Sequence, residues 1–186
     1  MSVKPANHKN RSAAFTTLQA IALVMITGIS FGILMSIVSN AFVIGVDWLF
    51  NTRHYFNFLD FSFFGKQLSP TPLITLLCAV FVILFIRRIF SISRWHGPAD
   101  SIYAAHRTDN ELDVKAGFGS TIAAFVSAGS GASVGQYGPL VHFGATVGSY
   151  IRTLTNGKIS TDVFIGCGVA GAIAAGFNAP IAGTIF

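Results

Sequence analysis

Long stretches without charge are the feature that most limits what this chain can fold into. Residues 18–49 hold one acid, Asp47, and no base, and residues 72–86 hold neither. About 20 apolar residues cross a bilayer. The first stretch therefore has a surplus, which tilt or continuation past the interface absorbs. Asp47 stands beside Trp48 near the far end, as at a membrane interface rather than mid-membrane. Gly28 and Gly32 form a small-xxx-small pair that would admit a second helix closely. Only 10% of the chain is charged, against about 25% in a soluble domain. The fold class this implies is all-α and integral to the membrane, with spans at about 18–49 and 72–88.

The charges that remain are clustered. Residues 1–17 contain Lys4, Lys9 and Arg11 and no acid, whereas residues 87–115 contain five bases and four acids. Bases flanking apolar spans lie on the cytoplasmic side. Two crossings put the 1–17 tail and the Arg87, Arg88 and Arg94 cluster on that same side. The reading is a multi-pass protein of a bacterial inner (plasma) membrane with a cytoplasmic N-terminus. The 18–49 run is too long for the apolar region of a secretory signal. The net charge of +5 follows these membrane ends and forms no stripe interleaved with aromatics, so nucleic acid is not an expected partner. Cys78 and Cys167 sit inside apolar runs and read as small buried hydrophobes. No metal site or cofactor is implied.

Residues 51–69 are rich in Phe and Tyr and suit headgroup depth. From residue 116 the composition changes: fourteen of the nineteen glycines fall between Gly117 and Phe186. Such a segment packs closely inside a bundle rather than facing lipid everywhere. It is interrupted at Gly135-Gln136-Tyr137-Gly138-Pro139, at Asn156-Gly157 and at Asn178-Ala179-Pro180. Short apolar helices broken by Gly and Pro mark discontinuous membrane helices around an ion or substrate site. The expected helices are 98–107, 116–134, 139–154, 162–177 and 180–186, with Pro98 and Pro139 at helix starts.

A helix begun within the membrane offers free N–H groups and the positive end of its dipole, which attract anions without a full charge. A fixed Lys or Arg would hold an anion too tightly for release. Gly135 and Gly138 would let an ion approach the backbone. The same arrangement recurs at His96-Gly97-Pro98 and at Asn178-Ala179-Pro180.

The run Gly129-Ser130-Gly131-Ala132-Ser133-Val134-Gly135-Gln136-Tyr137-Gly138-Pro139, followed by Gly144 and Gly148, resembles the signature of the CLC family of chloride channels and proton-coupled chloride exchangers. The stretch from Gly168 to Gly183, with Phe177-Asn178-Ala179-Pro180, resembles the family's Ala/Gly-rich helix ending in Phe-Asn-Ala-Pro. The resemblance implies two inverted halves, chloride bound at helix N-termini and a homodimer in the bilayer. It implies a core about twice this length or more, so residues 18–186 are expected to be a truncated first half. Gln136 and Tyr137 stand where the family has a base and its gating Glu. The family's Gly-Ser-Gly-Ile-Pro falls at residues 95–99, where Gly97 matches and His96 replaces the anion-binding Ser. The expected anion pathway is His96, Gly97, Gly135, Gln136, Tyr137 and Gly138, with no catalytic residue. His142, a turn beyond Pro139, is a further candidate. Tyr titrates near pH ~10, so proton coupling through residue 137 is not expected.

The alternative is a structural or assembly membrane subunit whose glycines serve packing alone. An enzyme is remote. Gly129-x-Gly131-x-x-x-Gly135 follows no strand and has no acid about 20 residues on, as a dinucleotide loop requires.

Overall fold

The computed structural model describes residues 8–52, 61–63, 66–107, 112–154 and 160–185. The Asn156-Gly157 break, the first seven residues and most of the aromatic 51–69 segment lie outside the described residues. Among the described residues seven helices follow in order: α1 (His8–Thr52), α2 (Thr71–Ile89), α3 (Pro98–His106), α4 (Val114–Gly129), α5 (Tyr137–Leu154), α6 (Thr161–Gly176) and α7 (Pro180–Ile185). A minimal antiparallel ribbon, β1 (Phe61–Phe63) with β2 (Lys66–Leu68), pairs Phe61 with Leu68. It falls where sequence patterning pointed to an interfacial segment.

Among the described residues α1 and α2 are the two helices long and apolar enough to cross a membrane, with mean hydropathy 2.4 and 2.2 in their most apolar windows. Only 11% of each window is buried, so neither is the enclosed core helix of a soluble protein. Ile29, Ile33, Ile37, Leu77, Phe81 and Phe85 are all exposed. A surface of that kind is stable only where hydrocarbon is the solvent.

One stripe of α1 faces the rest of the protein. Phe31, Met35, Ser39, Phe42 and Val46 are buried, at spacings of three and four that place them on one helix face. This seam packs on α6 and α4. It is not the Gly28/Gly32 face expected from the sequence, since nothing lies within 4 Å of a Cβ built on either glycine. Gly171 of α6 provides the close approach instead, with its Cβ position 3.2 Å from Met35.

α5 and α6 make the most intimate pair. Gly144 and Gly168 face each other so closely that a Cβ on either would overlap the other's carbonyl, and Gly148 stands likewise against Phe164. Val141, Ala145, Ile165, Val169 and Ile173 form the buried cluster at this contact, together with Ala104 of α3. Two buried hydroxyls are satisfied within their own helices: Thr146 donates to the His142 carbonyl at 2.8 Å and Thr121 to that of Gly117 at 3.0 Å.

Three helices end in the same way. Ile92 N–H bonds Arg87 C=O after α2, Ala132 N–H bonds Ser127 C=O after α4, and Ala179 N–H bonds Ala174 C=O after α6. These are six-to-one closures around a left-handed residue: Ser91 (φ 54°), Gly131 (φ 101°) and Asn178 (φ 50°). Each closure turns the chain so that the next helix starts nearby. Arg87 braces the first turn by donating to the carbonyls of Ile92 and Ser93, both at 3.1 Å. Serine at that left-handed position carries a steric cost that glycine does not. Ser91→Gly should raise the thermal midpoint, the roughly 1 kcal/mol of relieved strain being offset in part by a freer unfolded chain. Circular dichroism melting in detergent checks this, and a lowered midpoint counts against it.

Candidate functional site

The helix starts at residues 96–98 and 135–139 meet beside the end of α6, which lies just before the Asn178-Ala179-Pro180 break. Gly138, in the first turn of α5, lies with its Cβ position 3.5 Å from Pro98, which opens α3. The Tyr137 ring stacks on Phe177 at the end of α6, centroids 4.4 Å apart and 28° from parallel. Gly176 lies beneath the Tyr137 ring, its Cβ position 3.4 Å away. Residues far apart in sequence thus surround the start of α5. A cavity of ≈ 310 Å³ beside it is lined by Trp95, His96, Ser120, Ser127, Val134 and Pro139.

α5 starts at Tyr137 rather than at Pro139. Gly135 precedes it with φ +71° and open space where a side chain would stand, a conformation that favours glycine. Tyr137 and Gly138 therefore supply the first N–H groups of the helix, which have no partner one turn back, while Pro139 has none to give. Among the described residues neither group is bonded to a protein acceptor. No full charge stands at this start: Gln136 and Tyr137 are both neutral polar side chains.

The α3 start differs. His96 N–H donates to Ser120 Oγ at 3.0 Å, and Gly97 N–H donates to Asp100 Oδ2 at 2.8 Å. The second carboxylate oxygen of Asp100 is ion-paired with Arg94. The backbone donors anticipated as free at residues 96 and 97 are thus occupied by the chain's own acceptors, because Asp100 sits three residues into the helix and reaches back. Partial burial works to raise the Asp100 pKa, but the Gly97 N–H and the Arg94 guanidinium outweigh it and hold the carboxyl below its ordinary value. What this break leaves for a ligand is the His96 ring.

His142 is fully buried at 1% exposure. Its Nδ1 is 2.7 Å from Ser101 Oγ of α3. Its ring lies 6.1 Å from that of His96. His142 Nε2 and His96 Nδ1 are both enclosed and without a protein partner. An unpaired buried donor or acceptor costs about 1–3 kcal/mol, so these atoms mark a place that a small ligand or water completes. Sequence reasoning missed Ser101, Asp100, Ser120 and the stacking role of Phe177. Helical spacing brings Asp100 near Gly97, but nothing in the sequence announces the contacts from Ser120 or Phe177. Among the described residues no group of three His, Cys, Asp or Glu could hold a metal ion.

Comparison with known proteins adds the following. The family profile described as voltage gated chloride channel matches residues 78–186, more than half of the chain. The "Voltage-gated ClC-type chloride channel ClcB" proteins of Escherichia coli (strain K12 / DH10B) and Shigella boydii serotype 18 are each 29% identical over 97 residues. That alignment takes in 52% of this chain and 23% of each relative, so it spans about a quarter of their length. No solved structure matches.

Proposed function

This chain belongs to the voltage-gated chloride channel family, and from that premise we propose that it forms part of an anion pathway, with chloride as the ion. The ion is held at the start of α5 by the N–H groups of Tyr137 and Gly138. Gly135 leaves the backbone approachable, Gln136 adds a neutral donor, and the His96 ring with Gly97 borders the site. The observation that carries this reading is the meeting of the α3 start and the α6 end at Gly138 and Tyr137. Partial dipole charge attracts an anion there while the absence of a fixed cation lets it leave.

Gly138→Val tests the site. Its Cβ would make ordinary contact with Pro98, so the helix start survives while the approach to the backbone is blocked. Chloride efflux from liposomes holding the protein should fall about tenfold, equivalent to about 1.4 kcal/mol of lost ion binding. Unchanged efflux from a variant with intact circular dichroism would remove residues 135–138 from the pathway.

The pathway lies in a membrane protein whose N-terminus and Arg87–Arg94 segment share the cytoplasmic side, as their flanking bases favour. Single cysteines at Ser2 and at exposed Ser93, in a background with Cys78 and Cys167 changed to Ser, should label from the same side of sealed vesicles. Labelling from opposite sides defeats this topology.

A further inference from the structure

The apolar run of α2 ends on two arginines, Arg87 and Arg88, and the chain then doubles back through Ser91 and Ile92. Those four residues, with Leu84 and Phe85 one turn earlier, line a cavity of ≈ 550 Å³. That volume is in the range of small-ligand sites, about 300–1,000 Å³. We propose that this cavity is a binding site for an anionic phospholipid, with the lipid phosphate on Arg88 and Arg87 and an acyl chain along Leu84 and Phe85. The inference goes beyond the anion-pathway reading above and does not rest on it.

The closure after α2 prepares the polar end of the site. The carbonyls of Ile86, Arg87 and Arg88 accept from the N–H groups of Phe90, Ile92 and Ser91. The negative end of the helix, which would repel a phosphate, is therefore largely covered. Arg87 donates through Nε to the Ile92 carbonyl and through Nη2 to that of Ser93, both at 3.1 Å. These bonds fix its guanidinium against the turn and leave Nη1 uncommitted. Arg88 is exposed and, among the described residues, has no hydrogen-bond or ion-pair partner. Its planar fork is free to take two phosphate oxygens. Ser91 adds a hydroxyl at a residue held in the left-handed region, φ 54°. A strained residue of that kind persists where its surroundings fix it, and such residues gather at ligand sites.

Charge and position together select an anionic lipid. Among the described residues neither Arg87 nor Arg88 pairs with a carboxylate, and Asp100 is committed to Arg94 and to the Gly97 N–H. The ammonium end of a zwitterionic headgroup would meet two uncompensated cations here, whereas an anionic headgroup supplies their counter-charge. Leu84 and Phe85 are 53% and 64% exposed on a helix apolar enough to cross a membrane. A soluble phosphate would leave both side chains bare, and the chain of a lipid covers them. The arginines directly follow the uncharged stretch 72–86. They therefore stand at headgroup depth, where bases attract anionic lipids.

The test is native mass spectrometry of the protein in neutral detergent, titrated with phosphatidylglycerol or with phosphatidylcholine of the same acyl chains. Phosphatidylglycerol should bind about thirtyfold more tightly, each of the two bases contributing about fivefold. Arg88→Gln should weaken phosphatidylglycerol by about fivefold and leave the fold intact, since the Arg88 side chain holds nothing else in place. Lys115→Gln removes the same charge from an exposed position in the first turn of α4 and should leave the preference unchanged. Glycerol phosphate, a headgroup without chains, should fail to displace an equal concentration of the lipid. Equal affinity for the two lipids, or equal losses from Arg88→Gln and Lys115→Gln, overturns the site. Displacement by glycerol phosphate overturns the lipid assignment in favour of a soluble phosphate. None of these outcomes bears on chloride efflux, so the anion pathway stands or falls separately with Gly138→Val.

Discussion

Gly168→Val is expected to lower the thermal midpoint of the protein by about 10 °C. A Cβ at residue 168 would overlap the carbonyl of Gly144, and one at residue 144 would overlap that of Gly168. Both obstacles are backbone, so no rotamer change relieves them. α5 and α6 would have to separate, loosening Val141, Ala145, Ile165 and Val169, which close on one another at this contact. Overpacking typically costs 1–3 kcal/mol. A rigid backbone puts this case near the top of that range, and about 3 kcal/mol corresponds to about 10 °C for a chain of this size. The control lies two residues away on the same helix. Nothing stands within 4 Å of a Cβ on Gly166, so Gly166→Ala should be neutral, or stabilising by up to about 1 kcal/mol through helix propensity. Melting of both variants by circular dichroism in detergent decides the matter. Equal midpoints for Gly168→Val and wild type would mean that the two backbones are not in contact.

Tyr137→Glu is expected to give the flux a steep pH dependence set by the new carboxyl group. No Asp or Glu lies between Asp113 and Asp162 to take the place of a carboxylate there. A glutamate placed at the start of α5 would be drawn to the same N–H groups as the ion. Above its pKa the carboxylate competes with the anion and flux falls. Below it the neutral acid releases the site and flux returns, by up to about tenfold per pH unit near the transition. Tyr137→Phe is the companion variant, because it keeps a ring to stack on Phe177 and adds no charge. Efflux from liposomes between about pH 4 and about pH 8, with an internal pH probe, reads all three proteins. A Tyr137→Glu profile that matches Tyr137→Phe would show that residue 137 does not face the ion. Proton movement driven uphill by chloride in the wild type would show coupling by a route other than this position.

The class of the fold was legible in the residues because it follows from local quantities. Length without charge defines α1 and α2, and Gly and Pro interrupt the apolar run after residue 116 wherever it turns. The left-handed closures at Gly131 and Asn178 were accessible in the same way, since those residue types tolerate positive φ. Ser91 was not, because nothing about serine announces that conformation. The register of α1 was also hidden. A helix that is apolar all round offers several plausible seams, and only partners on α4 and α6 select the stripe from Phe31 to Val46 over the one through Gly28 and Gly32.

The candidate site divides along the same line. Sequence by itself determined that residues 96–98, 135–139 and 178–180 interrupt helices and that residue 137 carries no titrating carboxylate, because both are properties of the residues at those positions. Tertiary structure alone decided that the α3 and α5 starts meet beside the end of α6, that Ser120 occupies the His96 N–H before α3, and that Ser101 and His96 flank His142. Those contacts join residues up to 46 positions apart, and glycine on both α5 and α6 lets those two backbones touch beside them.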